Sequence, residues 1–198
     1  MITQHLMEVD EILAEWIPRL DWPEAPTDPA VFHDLMSCII EQQIHYRSTK
    51  KTFARLLGKA GIDVLTVENF EIFEEKALNG FKLSGKKQET IAGVIDFFSS
   101  TPPAWEHLTE QQIRAVFKGL AGIGPWTQDM MLLYTFGQAD IFPVQDYHLR
   151  LIMRELYGLP EQGLNREMRQ IAENWRPYRS YGVKYLFSWK AARKRQLI

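Results

Sequence analysis

Apolar residues recur every three or four positions along nearly the whole of this chain, and few stretches alternate as strands do. That spacing lines them up along one side of a helix, so the chain must bury helical stripes against one another. Between His5 and Leu20, the residues Leu6, Val9, Ile12, Leu13, Trp16 and Leu20 share a face. A Pro-rich linker from Asp21 to Pro29 separates this helix from a second, Phe32 to Tyr46, and a third, Ser48 to Leu57. Further helices are expected from Ser84 to Phe98, Thr109 to Phe117, Thr127 to Phe136, Gln145 to Tyr157, Asn165 to Trp175 and Tyr178 to Arg193. The expected fold class is all-α, about ten helices joined by short loops.

A chain of 198 residues can bury a real core, and 45% apolar with 12% aromatic content excludes a disordered one. No apolar run approaches the roughly 18 to 20 residues that span a bilayer. The first sixteen residues carry acids where a signal peptide carries an apolar core, so a cytoplasmic protein is expected, nucleoid-associated if bacterial. The single cysteine, Cys38, excludes an internal disulfide and any four-cysteine zinc or iron–sulfur site. A net charge of −2 does not by itself mark a nucleic-acid binder. The bases cluster instead, at Arg47, Lys50 and Lys51, at Lys82, Lys86 and Lys87, and at Lys184, Lys190, Arg193, Lys194 and Arg195. Each run alone is equally an ordinary solvated helix face.

The segment Leu120 to Thr127 reads LAGIGPWT. Gly122 and Gly124 are expected to allow positive φ and close approach of a ligand to the backbone. Free amides in such a turn, with the positive end of the helix that follows, make an anion site. Pro125 suits the first turn of that helix, where no amide donor is needed. Carbonyls near Leu120 and Ile123 could hold a monovalent cation that bridges to phosphate. A lone Gly-x-Gly is equally an ordinary helix end. About twenty residues on, Asp146 stands in Phe142-Pro-Val-Gln-Asp-Tyr147 at the opening of a helix. There it is either a dipole-stabilising acid or a carboxylate kept ionised in a dry cleft, able to stabilise a sugar cation.

These two segments resemble those of the helix-hairpin-helix DNA glycosylase superfamily, and among them the DNA-3-methyladenine glycosylase II branch in a compact form without an N-terminal β domain. The resemblance runs from about Ala30 to Trp189. It includes I-I-E-Q-Q-I at 39–44 and W-R-P-Y-R-S-Y at 175–181. It implies two helical lobes with the active-site cleft between them, one from residues 27–130 and ending in the hairpin motif, the other from 1–26 plus 131–198 and carrying the catalytic acid and base pocket. It implies that Asp146 is catalytic and that Trp126, Tyr178, Met130 and Tyr181 line the base pocket, with Trp189 a weaker match. DNA contacts would come from Gly122, Ile123, Gly124, Thr127, Gln43, Ile44 and His45, with Ile44 filling the gap left by the flipped nucleotide. Trp126 stands where bifunctional relatives carry a nucleophilic lysine, so no Schiff base and no strand cleavage are expected. Lys118 precedes the hairpin and does not match that position. Met130 stands where a relative has an aromatic.

The implied activity is a monofunctional glycosylase of base excision repair. It would flip out alkylated purines of the 3-methyladenine and 7-methylguanine type, hydrolyse the N-glycosidic bond and leave an abasic site. No cofactor and no catalytic metal are expected. The partner would be double-stranded DNA with damaged bases, with no membrane, no obligate protein partner and a monomeric enzyme. His148, two residues after Asp146, is read as facing elsewhere, in a structural or phosphate-contact role. Two alternatives stand beside this reading: a non-catalytic DNA-binding protein, or a glycosylase for deaminated or oxidised bases.

Overall fold

The computed structural model describes residues 1–21, 30–41, 50–100 and 102–195. Among these residues the chain forms helices and turns without a strand. The α-helices are α1 Ile2–Val9, α2 Glu11–Trp16, α3 Val31–Ile40, α4 Lys50–Ala60, α5 Phe70–Phe73 and α6 Gly85–Ser99. They continue as α7 Glu110–Lys118, α8 Pro125–Tyr134, α9 Tyr147–Tyr157, α10 Leu164–Glu173 and α11 Arg179–Lys194. Two compact units divide the chain, one of Met1–Pro26 with Leu132–Ile198 and one of Thr27–Met131. No described helix is long and apolar enough to cross a membrane.

In the Thr27–Met131 unit, α3 packs on α6 and α4 on the π-helical turn Glu74–Leu78 that extends α5. Leu35, Met36, Ile39, Phe73, Val94, Ile113 and Phe117 are fully buried there. Trp105 stacks between Phe98 and Phe117, at 6.0 and 5.4 Å between ring centroids. Thr109 closes a reciprocal capping box with Gln112 at the start of α7. Arg114 on α7 reaches Glu110 on its own helix and Asp129 on α8, both at 2.8 Å, and so ties together the two helices that flank the hairpin.

In the other unit, α9 packs against α10 and α11, and α2 against α11. The single helix expected from His5 to Leu20 is broken at Asp10, whose backbone is extended at φ −148 and ψ 113. The break has a physical cause. One Asp10 carboxylate oxygen accepts from the Leu13 amide at 2.9 Å and caps α2. The other accepts from the Trp175 indole at 2.7 Å and the Tyr157 hydroxyl at 3.0 Å. A continuous helix would carry this carboxylate away from those buried donors.

Other boundaries also differ from expectation. The helix expected from Phe32 to Tyr46 ends at Ile40, because Glu41 leaves helical geometry and turns its buried carboxylate to the Phe53 amide at 3.0 Å. Lys87 donates to the Ile40 carbonyl at 3.2 Å, capping the same helix end. The helix α5 and its π-turn, residues 70–78, were not anticipated at all.

Candidate active site

At the hairpin, only one of the two glycines takes the conformation expected of both. Gly122 has φ +85, and a Cβ there would fall 1.9 Å from Thr90 Oγ1. Gly124 has no positive φ, and a Cβ on it would meet nothing within 4 Å. Gly122 therefore serves the fold, and Gly124 leaves the outer surface of the turn bare. Ile123 between them is 5% exposed and anchors the turn in the core. Its side chain is thus directed inward, which leaves its backbone as the part able to meet DNA. The Ile123 carbonyl accepts from Gln128 Nε2 at 3.3 Å and the Leu120 carbonyl from the Ile123 amide at 3.2 Å. Each carbonyl expected at a cation site thus spends one lone pair within the chain. Thr127 is 1% exposed and Met130 fully buried, whereas Trp126 on the first turn of α8 is half-buried.

Beside the hairpin lies a cavity of about 440 Å³ lined by Ser84, Lys86, Lys87, Thr90 and residues 122–124. Ser84 is the N-cap of the fifteen-residue α6, so the amide end of that helix and two lysines face the same space as the glycine turn. Burial lowers the Lys87 ammonium below its ordinary pKa. This arrangement suits an anion with several oxygens. Of the basic run at Lys82, Lys86 and Lys87, the last two thus line this cavity, which composition alone did not reveal.

Asp146 is the N-cap of α9 and 5% exposed. Its Oδ1 accepts from the Leu149 amide at 2.7 Å, and its own amide donates to the Pro143 carbonyl at 2.8 Å. The loop before it is pinned to the start of α11. Ser180 donates to the Gln138 carbonyl at 2.6 Å and accepts from the Ile141 amide at 2.9 Å. Arg179 and Arg176 both hold the Asp140 carboxylate, at 2.6 and 2.5 Å. Tyr178 and Tyr181 are half-buried at this same end of α11 with their rings 6.4 Å apart, and His5 of α1 meets the Tyr178 ring edge-on at 5.5 Å. Gly182 lets α11 lie against Trp175, whose Cε3 would be 2.7 Å from an added Cβ.

Several residues that sequence reasoning placed elsewhere also gather here. Lys184, read as part of a solvated basic cluster, is 4% exposed. Its Nζ lies 5.8 Å from the Tyr134 ring centroid and 5.6 Å from that of Tyr181, within cation–π reach of both. Its helical position on the packed side of α11 was the available signal, and its charge masked it. His148, read as structural or phosphate-contacting, has a partner on α11. It bonds Lys190 through Nδ1 at 3.0 Å, and the Asp146 carboxylate acts on both groups. Tyr147, 65% exposed and edge-on to His148, was missed as well. Trp189 is 4% exposed and packs edge-on against Trp16 at 6.0 Å, a core role. Gln43, Ile44 and His45 lie outside the described residues, and Lys118 is exposed at the end of α7. Among the described residues no group of three or more His, Cys, Asp or Glu is arranged to hold a metal.

Comparisons with known proteins bear on the whole arrangement. The family profile described as HhH-GPD superfamily base excision DNA repair protein matches residues 36–177. The DNA-3-methyladenine glycosylase of Bacillus subtilis is 27% identical over 172 residues, which are 80% of this chain and 57% of that protein. The chain spans a little under three-fifths of the Bacillus subtilis relatives it matches, 59% and 57% of their lengths. Among solved structures, Schizosaccharomyces pombe 3-methyladenine DNA glycosylase in complex with abasic DNA superposes with a TM-score of 0.78 at 21% identity, over 97% of this chain and 96% of that one. DNA-3-methyladenine glycosidase of Bacillus halodurans superposes with a TM-score of 0.71 at 25% identity, over 96% and 88% of the two chains.

Proposed function

Because the chain belongs to the HhH-GPD superfamily of base excision DNA repair proteins, we propose that it is a monofunctional DNA glycosylase that releases alkylated purines and leaves an abasic site. The observation that carries this reading is Asp146, a carboxylate 5% exposed and fixed at the head of α9 by a 2.7 Å bond from the Leu149 amide. Double-stranded DNA with a damaged base is the partner, and a monomer in the cytoplasm suffices for the reaction.

In this mechanism the hairpin amides and the lysines beside them hold phosphates of the damaged strand. The damaged base leaves the stack at a cost of a few kcal/mol, least for a poorly stacked lesion. Alkylation at purine N3 or N7 makes the base cationic and a good leaving group. As the glycosidic bond breaks, its electron pair goes to the base and positive charge grows on the sugar. Asp146 stabilises that charge and orients or deprotonates the water that adds to the sugar carbon. Trp126, Tyr178 and Tyr181 are the rings offered to the base, worth about 0.5–2 kcal/mol each to a cationic one. With Trp126 at the position of the lyase lysine, the strand stays unbroken.

The experiment is release of free bases from methylated DNA by the wild type and Asp146→Asn. Asparagine caps a helix as well as aspartate does, so the variant keeps its fold and its DNA binding and loses base release. Full activity in Asp146→Asn overturns the mechanism, and borohydride trapping of a protein–DNA adduct overturns the monofunctional reading. One observation favours a second reading, preference for uncharged lesions. The Lys184 ammonium already sits 5.6 Å from the Tyr181 centroid, so that ring serves a cation before any base arrives. The same assay on hypoxanthine-containing DNA separates the two.

A further inference from the structure

An ammonium group has donors and no acceptor. Lys190 Nζ lies 3.0 Å from His148 Nδ1, so the lysine donates and the ring nitrogen accepts. Nδ1 then carries no proton, and the imidazole is the neutral tautomer protonated at Nε2. A second proton on this ring would set two cations at hydrogen-bond distance. We propose that Lys190 is a positioning residue for base release, holding His148 as its neutral Nε2–H tautomer so that the pair beside Asp146 carries one fixed positive charge. The inference rests on the reading of Asp146 as the catalytic carboxylate.

The charges around the pair support this. His148 is held below its ordinary pKa by burial first and by Lys190 second, against the opposing pull of Asp146. Lys190 is lowered by burial and by Lys194, again against Asp146. Two neighbouring charges on α9 and α11 are paired, Arg193 with Glu155 and Arg154 with Glu161. On α10, Arg166 pairs with Glu167, and on α2 Glu15 pairs with Arg19. Asp146 acts on both members of the pair, and Lys194 on Lys190.

The consequence for the reaction is electrostatic. One cation lies near Asp146 and attracts its carboxylate. A second, gained if His148 took up a proton, would cancel the negative potential on which the sugar cation depends. The lysine prevents that second charge from arriving on acidification. Without it, burial alone would oppose protonation of His148, and the ring would take up a proton at higher pH than in the wild type.

The test combines the His148 tautomer, read by nitrogen-15 NMR, with single-turnover base release from methylated DNA between pH 5.5 and 8. In the wild type, His148 is expected as the Nε2–H tautomer, titrating below the ordinary histidine range. In Lys190→Met, the ring should titrate at higher pH than in the wild type. The release rate, taken relative to wild type, should then fall from pH 8 to 5.5, by at most about tenfold, the loss of neutral ring one unit below an ordinary histidine pKa. Lys190→Arg should restore the wild-type pH profile. Lys190→Met/His148→Gln should be pH-independent relative to wild type, which a merely structural lysine would not produce. An Nδ1–H tautomer or an ordinary titration in the wild type overturns the proposal, as does a wild-type pH profile in Lys190→Met. A wild type that shows the tautomer yet releases no base refutes the proposed function and leaves the tautomer intact.

Discussion

Under the proposed function, the hairpin glycines would separate a folding role from a binding role. In Gly122→Ala the new Cβ arrives 1.9 Å from Thr90 Oγ1, and the residue must keep φ +85. Left-handed backbone costs a non-glycine residue about 1–2 kcal/mol. Thr90 must also swing away and give up its 2.9 Å bond to the Lys86 carbonyl, worth about 0.5–1.5 kcal/mol. The expected loss is about 2–3 kcal/mol, which moves a urea midpoint by about 1 M for a slope of about 2–3 kcal/mol per M. Adding Thr90→Ala removes the hydroxyl clash and leaves the backbone strain, so the double variant recovers about 1 kcal/mol relative to additivity. Gly124→Ala is the control. Its φ is not positive and its Cβ meets nothing within 4 Å, so stability changes by less than about 0.5 kcal/mol. Its methyl group stands over the cavity instead, and DNA affinity falls. Equilibrium urea unfolding and DNA-binding titrations on the wild type, the two single variants of the cycle, the double variant and Gly124→Ala read both effects. A Gly122→Ala loss below about 0.5 kcal/mol, or no relief from Thr90→Ala, refutes the steric reasoning.

Asp10→Ala strips the cap from α2 and leaves the Trp175 and Tyr157 donors buried without their acceptor; thermal or urea unfolding should show a loss of at least about 3 kcal/mol. Burial, then Asp10, raises the Tyr157 phenol far above its ordinary pKa. Because the folded value is the higher one, its contribution to stability is complete below about pH 10 and declines as the unfolded chain ionises above it. Absorbance at 295 nm should therefore leave one of the seven tyrosines untitrated until the protein unfolds. Gly182→Ala drives a Cβ to 2.7 Å from the Trp175 ring, and overpacking of this kind should cost about 1–3 kcal/mol, read as a lower melting temperature.

What the chain revealed before its structure was known follows the range of the interactions involved. Ser84 at the start of α6, Thr109 with Gln112 at the start of α7, and Asp146 before α9 act on backbone amides three residues away. Short-range capping of this kind is written in local sequence. Asp10 looks like one more acid on an amphipathic face, because the donors that break the helix there are Tyr157 and Trp175, about 150 residues further on. Lys184 and Lys190 read as members of a solvated run, since nothing nearby announces the Tyr134 and Tyr181 rings or His148. The difference between Gly122 and Gly124 depends on the position of Thr90, on another helix. Charge and glycine are legible as residue types, and their partners become visible only in three dimensions.

Asp146 shows how a local signal can conceal a second purpose. As an N-cap, aspartate has no advantage over asparagine or serine, which stabilise a helix start about equally. What aspartate alone brings is charge, and at 5% exposure that charge is held largely out of water. The helix dipole returns typically about 0.3–1 kcal/mol to an acid at this position, while removing a carboxylate from water costs several kcal/mol even after relaxation. The helix dipole therefore gives no reason for the charge. Asp146→Ser and Asp146→Asn should match the wild type within about 0.5 kcal/mol in urea, yet both should fail to release base. If either variant loses several kcal/mol of stability, the charge belongs to the fold, and the case for Asp146 as the group that stabilises the sugar cation is lost.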